Sequence, residues 1–596
     1  MLSSVQKIIM RKCVSDGCKK TSEKKTRFSI IEIQQGKLRG TTSTDYHGGK
    51  FFKFLGIPYA KAPIGELRFK APQPAEPWSG VRDATKEGPE APSPDLYFTY
   101  FIGSENNCLN LNVYTKELPK DGPLKKPVMV WIHGGGFING SNKSAMNGPD
   151  YLLTQDIVLV ATNYRLGILG FASFKDPSLG VPGNAGLKDL RESLRWVQQN
   201  IEKFGGDPEN VTIFGESAGG AAVQYLTLSP STKGLFHKAI SQSGSALNNW
   251  AWGQNNAQQI AKHFGYKVTD EKSIYEKLIK ESAKNMVYAQ KRFKETFQSG
   301  KIRPWGPVVE SPSSDAFITE HPVKIMKSQG AHKIPMIIGY NSNEGIFFEL
   351  VRRTIPGVGL PKDLTEELPY EIEIENNNEK NKVIERIRKE YFNDSQGCNE
   401  EDIEQIYKLK GDTNFIYSVY RSIKLQSKHS DQPIYAYRMS LQSSLNYFHT
   451  FAMSKYFKTT MLSNFLIKFC GNYIPSAKNS VVGMQNRIPK KEFVGVSHAD
   501  DLFYLFSTFF TPTIEKGSTE DLYIQKFIKM WTNFAKYGNP TPQLDAVLDN
   551  VQWVPVDSNN MRFLEIGPEL KMTGDIDKKR LKIWDDLYDS YEKISN

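Results

Sequence analysis

A short stretch near the middle of the chain limits its fold more than any other feature. Gly215-Glu216-Ser217-Ala218-Gly219 joins an apolar, strand-like run, Val211-Thr212-Ile213-Phe214, to a helix-compatible run from Ala218 to Leu228. A serine at the tip of so tight a strand-to-helix turn is held in a strained backbone conformation. Glycines two residues to either side let the chain bend that sharply. The hydroxyl then points out of the sheet, and the first amide of the helix points at the space beside it. Gly-x-Ser-x-Gly also occurs in ordinary glycine-rich loops, so its meaning depends on what else the chain carries.

Upstream, Pro127 to His133 reads as a buried strand that runs into Gly134, Gly135, Gly136 and Phe137. Three glycines after a strand leave backbone N–H groups open to a ligand, as a site for a developing oxyanion requires. Other strands are expected at Phe28–Gly40 (a pair), Lys50–Ala60, Cys108–Tyr114, Ile157–Asn163, His237–Ser243, Pro335–Asn341 and Pro433–Met439. Helices are expected from Gly183–Asp189 to about Phe204 and over Tyr523–Tyr537. The charged stretch 359–410 reads as a helical excursion on the surface, and the loop Gly495–Leu502 as the entrance to an apolar helix. Strands interleaved with helices in this way predict an α/β fold with a large mixed, mostly parallel central sheet flanked by helices.

Serine is a weak nucleophile at its own pKa and needs a base within hydrogen-bond reach. Histidine suits that task near neutrality, and a carboxylate must hold its tautomer and stabilise the imidazolium. Strand ends and loops supply Ser217, then Glu344 in Ser342-Asn343-Glu344-Gly345, then His498 in Gly495-Val496-Ser497-His498-Ala499-Asp500-Asp501. Serine, acid, histidine is the chain order of α/β-hydrolases. The segments FLGIPYAKAPIGELRFKAPQP, LNVYT, WIHGGGF, NYRLGILGF, PGNAGLKD, FGGDPENVTIFGESAGG, SNEG, GVSHADDL and FAKYGNP span residues 28 to about 572. In that combination the chain resembles the type-B carboxylesterases of the cholinesterase family, and among them the insect α-esterases.

The resemblance implies an α/β-hydrolase that cleaves small to medium hydrophobic esters through a Ser-His-Glu triad and an acyl-enzyme. It implies xenobiotic or lipid-ester metabolism, organophosphate or carbamate inhibitors, and no metal or organic cofactor. Ser217 would be the nucleophile, His498 the acid/base and Glu344 the third member. Gly135, Gly136 and Ala218 would form the oxyanion hole. Glu216 resembles a buried supporting carboxylate, Ser243 a supporting hydroxyl and Trp250 an acyl-pocket tryptophan. Arg165–Asp189 and Arg68–Glu105 resemble structural ion pairs. Where the family places a first disulfide, this chain has Ala91, which leaves Cys108 without that partner.

The remaining residues set outer bounds. Residues 1–27 read as a basic, flexible tail and 28–590 as one catalytic domain, with a basic, aromatic insertion at about 448–491 that carries no Asp or Glu. That insertion reads as a surface fold or as an amphipathic lid or membrane-contacting patch. The net charge of +11 accompanies no nucleic-acid motif and reads as a lysine-rich surface. Five cysteines without regular spacing, and no signal-peptide or membrane-spanning run, lead to the expectation of a cytoplasmic protein. Sequons stand at Asn139, Asn142, Asn210 and Asn393, the third at the start of the elbow strand. The rival to an esterase is a cholinesterase-like protein that binds or sequesters ligands with slow turnover or none.

Overall fold

Alternation along the central strands creates two cores, one on each face of a single sheet. On β5 (Lys126–Ile132) Val128, Val130 and Ile132 enter one core, while Met129 and Trp131 enter the other. On β6 (Val158–Thr162) Val158 and Val160 part from Leu159 and Ala161 in the same way. Strands buried on both faces are what parallel sheets covered by helices require. The computed structural model describes residues 28–592 except 96–99, 291–299, 329, 356–357, 394, 396, 454–492, 510 and 558–559. The tail 1–27, nearly all of the insertion 448–491, and Cys13, Cys18 and Cys470 lie outside the described residues.

The outer strands are β1 (Ser29–Ile33), β2 (Gly36–Thr44), β3 (Lys50–Pro58) and β4 (Asn110–Thr115). Beyond β6 come β7 (Gly206–Glu216), β8 (Lys238–Gln242), β9 (Met336–Asn341), β10 (Ile434–Met439), β11 (Phe563–Ile566) and β12 (Leu570–Thr573). Their spatial order is β1-β2-β3-β4-β6-β5-β7-β8-β9-β10-β11-β12, and the short strand Val81–Asp83 pairs with β2. From β6 to β11 every neighbour is parallel. The antiparallel pairs lie at the two edges, so the sheet is mixed and mostly parallel as its sequence pattern predicts. Helices α1 (Ala185–Asn200) and α2 (Ala218–Leu228) cover one face through Leu187, Leu190, Leu194 and Ala222. Helix α3 (Thr519–Tyr537) covers the other through Phe527, Trp531 and Phe534.

Three local readings change. Helix α3 begins at Thr519 rather than Tyr523, because Ser518 caps it by accepting the Asp521 amide at 3.2 Å. The segment after His498 is a 3-10 turn, Asp500–Tyr504, since the Asp500 carboxylate is taken up by the amides of Ser497, Phe448 and His449. The charged stretch near 400 is not all surface. Helix Ile403–Gly411 buries Ile406, Tyr407 and Leu409, and a Cβ on Gly345 would lie 1.7 Å from the Tyr407 carbonyl oxygen.

Arg165 and Asp189 meet in a bidentate pair at 2.8 and 2.6 Å, with the Arg165 amide also donating to Asp189 at 3.0 Å. Both are buried. The pair ties the loop after β6 to α1, and that loop braces the glycine run: the Tyr164 hydroxyl donates to the His133 carbonyl and the Gly167 amide to the Phe137 carbonyl. Arg68 pairs with Glu105, its Nε donating at 2.6 Å. Asp189→Ala strands Arg165 in the core, a change that costs about 3–5 kcal/mol when one partner of a buried pair is removed. The expected result is a urea unfolding midpoint well below that of the wild type; an unchanged midpoint contradicts the bracing role.

Candidate active site

Ser217 sits one residue past the end of β7 with φ 57° and ψ −123°, a conformation that costs a non-glycine residue roughly 1–3 kcal/mol. The strain is held by packing and hydrogen bonds. Its amide donates to the Gln242 carbonyl at 2.8 Å, and its carbonyl accepts the Ala221 amide. Gly219 cannot carry a side chain, because a Cβ there would stand 2.0 Å from the Ile132 carbonyl oxygen.

The Ser217 Oγ lies 2.8 Å from His498 Nε2, and His498 Nδ1 lies 2.6 Å from Glu344 Oε2. Glu344 stands three residues past the end of β9, and its other oxygen accepts the Asn341 amide at 2.7 Å. No strand carries His498; its loop is tied to the acid turn instead. Asn341 Nδ2 donates to the Ser497 carbonyl at 2.8 Å, the Asn343 amide to Val496, and the Val496 amide to the Ser342 hydroxyl. Asp501 links the same loop to β8 by accepting from Gln242 Nε2 at 2.7 Å. The imidazole packs on Phe415, ring centroids 4.0 Å apart, and against the edge of Phe347. The structure thus brings Ser217, Glu344 and His498 into one hydrogen-bonded row.

Gly135 and Gly136 take φ of 107° and 62°, and Ala218 opens α2. Among the described residues their three amides meet no protein acceptor. His133, at the start of this loop, stacks on Tyr164, and burial pulls its pKa down to about 4, so it acts as a neutral brace. Trp250 lines the same cavity, its indole N–H donating to the Asn414 carbonyl at 2.5 Å. Ser243 is buried at φ 49°, and its hydroxyl finds no partner among the described residues. It is not hydrogen-bonded to the Ser217–His498–Glu344 row. The cavity has a volume of about 520 Å³, with Ser217 and His498 in a wall otherwise rich in aromatic residues. Phe415, Gln242 and Arg303 lie outside the quoted motifs, and Asp501, inside GVSHADDL, carried no expected role.

The electrostatics favour charge on His498. Desolvation opposes the imidazolium, but Glu216, with Oε1 3.2 Å from His498 Nε2, and Glu344 outweigh it, and the pKa rises above the ordinary histidine value. Burial in turn pushes Glu216 up while His498 pulls it back, so the carboxylate and the imidazole share their charge as one coupled pair. A base must be neutral to take a proton, so its raised pKa places the acidic limb of kcat/KM above the usual histidine range. That limb belongs to the coupled cluster rather than to one residue. Removing a carboxylate lowers the imidazole pKa and keeps the base active at lower pH. Glu216→Gln is therefore expected to move the acidic limb of the pH–rate profile to lower pH; a limb that stays put or moves upward contradicts this electrostatic reading.

The Carboxylesterase family model matches residues 27–584. The chain is 32% identical to juvenile hormone esterase of Tribolium castaneum over 88% of its own length and 85% of that protein's. It is 32% identical to esterase FE4 of Myzus persicae, covering 89% and 87% of the two chains. In three dimensions it is similar to the crystal structure of juvenile hormone esterase from Manduca sexta with OTFP covalently attached. The TM-score is 0.76 and the identity 28%, over 94% of this chain and all of that one. A match of that extent, on an α/β-hydrolase sheet, means that the chain belongs to the carboxylesterase family.

Proposed function

We propose that the protein hydrolyses carboxylic esters through an acyl-enzyme, with Ser217 as nucleophile, His498 as general base and acid, and Glu344 as the group that orients His498. The observation that carries this reading is the continuous row Ser217 Oγ–His498 Nε2–Glu344 at 2.8 and 2.6 Å, opening into an apolar cavity. Ser217 Oγ attacks the ester carbonyl carbon while its proton passes to Nε2. Negative charge develops on the carbonyl oxygen opposite the Gly135, Gly136 and Ala218 amides. The intermediate collapses, the C–O bond to the alcohol breaks, and His498 returns its proton to the leaving oxygen. Water, deprotonated by the same imidazole, then attacks the acyl carbon and frees the acid and Ser217.

The substrates are small to medium hydrophobic esters, in keeping with the aromatic cavity, and Trp250 bounds the acyl side. Esters of xenobiotic or lipid origin fit that wall, and organophosphates or carbamates would react with the same serine. The buried Cys108 thiol fits a reducing, cytoplasmic setting. A membrane contact made by the insertion 448–491 would rest on residues outside those described. Among the described residues of that segment, Phe448 and Phe451 reach the cavity wall.

Stopped-flow hydrolysis of 4-nitrophenyl butyrate is the direct test. A burst equal to the enzyme concentration followed by steady turnover is expected, with turnover reduced at least about 10³-fold in Ser217→Ala. A burst without turnover would move the assignment to a sequestering protein. Full turnover by folded Ser217→Ala would overturn the role of the serine.

A further inference from the structure

Arg303 is a cation in the cavity wall that has no counter-charge among the described residues. It is 8% exposed, and burial alone displaces its pKa, to about 9, which leaves it cationic at neutral pH. Nη1 donates to the Gly136 carbonyl at 2.8 Å, the guanidinium carbon lies 5.8 Å from the centre of the Trp250 ring, and the Nε–H is buried without an acceptor. Most other buried cations of the described residues are treated differently, Lys238 apart, which donates to the Asn210 side chain. Arg165, Arg68, Lys188 and Lys410 each face a carboxylate, as the desolvation of a charge normally demands.

The backbone holds Arg303 where it is. Pro304 restricts the preceding residue to extended geometry. Downstream, Val308 exchanges two hydrogen bonds with the Asn184 side chain, at 2.7 and 2.9 Å, and Glu310 accepts from Lys188 at 2.9 Å. Trp305 is buried between these anchors. The arginine is thus pinned next to the glycine loop, on the Trp250 side of the cavity, in a wall rich in Phe and Trp that elsewhere also carries Glu90, Asp95, Lys143 and Glu216.

A planar guanidinium with free N–H groups in an apolar wall matches a carboxylate better than any neutral group, because it offers parallel, charge-assisted hydrogen bonds. We propose that Arg303 receives a carboxylate on the acyl part of the substrate, so that the enzyme selects half-esters of dicarboxylic acids over neutral esters of the same length. Which end of the substrate lies beside Trp250 rests on the serine-esterase reading above; the presence of an anion site does not.

Two isosteric pairs separate the claims. In the first, 4-nitrophenyl hydrogen glutarate is compared with its charge-capped methyl ester. The wild type should prefer the charged ester, and Arg303→Leu should lower the charged-to-capped ratio of kcat/KM by about 10- to 100-fold. Arg303→Lys should retain part of the ratio. A wild type with no preference, or an Arg303→Leu enzyme slowed equally on both esters, overturns the proposal and makes Arg303 a brace for Gly136 only. In the second, Ser217→Ala protein is titrated calorimetrically with monomethyl glutarate and dimethyl glutarate. Tighter binding of the monoester, lost in Ser217→Ala/Arg303→Leu, supports the site even if no ester is turned over. Equal binding of the two overturns it.

Discussion

The level at which the parallel strands end is the constraint on which the rest of this site depends. Gly215 is in register with Ile132, Glu216 with Gln242, and Gln242 with Gly339. The strands β5, β7, β8 and β9 therefore finish side by side, and whatever follows each of them arrives at one edge. After β5 comes the glycine loop, after β7 the strained serine, after β9 the turn with Glu344. This is the crevice at the carboxyl ends of strands where open α/β sheets hold their ligands. Gln242 joins the pieces: its carbonyl accepts the Ser217 amide, its amide nitrogen donates to Asp501 beside His498, and its side-chain oxygen accepts the Trp531 indole N–H from α3.

The site is costly to hold. A non-glycine residue sits at positive φ, and Glu216, Glu344, Asp500 and Asp501 are all buried within the same few loops. Burial raises Asp500 and Asp501 above the usual carboxylate range even though each accepts hydrogen bonds from its neighbours. Of these, Glu216, Glu344 and Asp501 act on His498 and favour the imidazolium, the species that must form as Ser217 attacks. Two cores, one on each face of a long sheet, supply the packing that keeps the arrangement from relaxing. The aromatic face of Phe415 limits how far His498 can turn.

What was legible from sequence was whatever depends on neighbours along the chain. The elbow from Val211 to Leu228, the glycine run at 134–136 and the strand before Glu344 are local patterns, and the structure has those elements where the patterns put them. Contacts that depend on distant segments were not legible. Phe415 lies in a five-residue π-helical stretch, Asp412–Ile416, that no local pattern singles out. Asp501 is one of two adjacent acids, and only the fold turns it toward Gln242. Arg303 stands in a proline-rich loop that carries no motif, and its isolation from any carboxylate is a three-dimensional fact. The edge strands β11 and β12 are only four residues each, too short for periodicity to distinguish them from turns.

The central claim is that Ser217 alone, among the serines of the chain, is the nucleophile. Mass spectrometry of the protein after reaction with a fluorophosphonate tests it most directly. The account predicts one adduct per chain, on the peptide containing Ser217, and none once the reaction is run on Ser217→Ala. An adduct on another residue, or no adduct on folded protein, would contradict it.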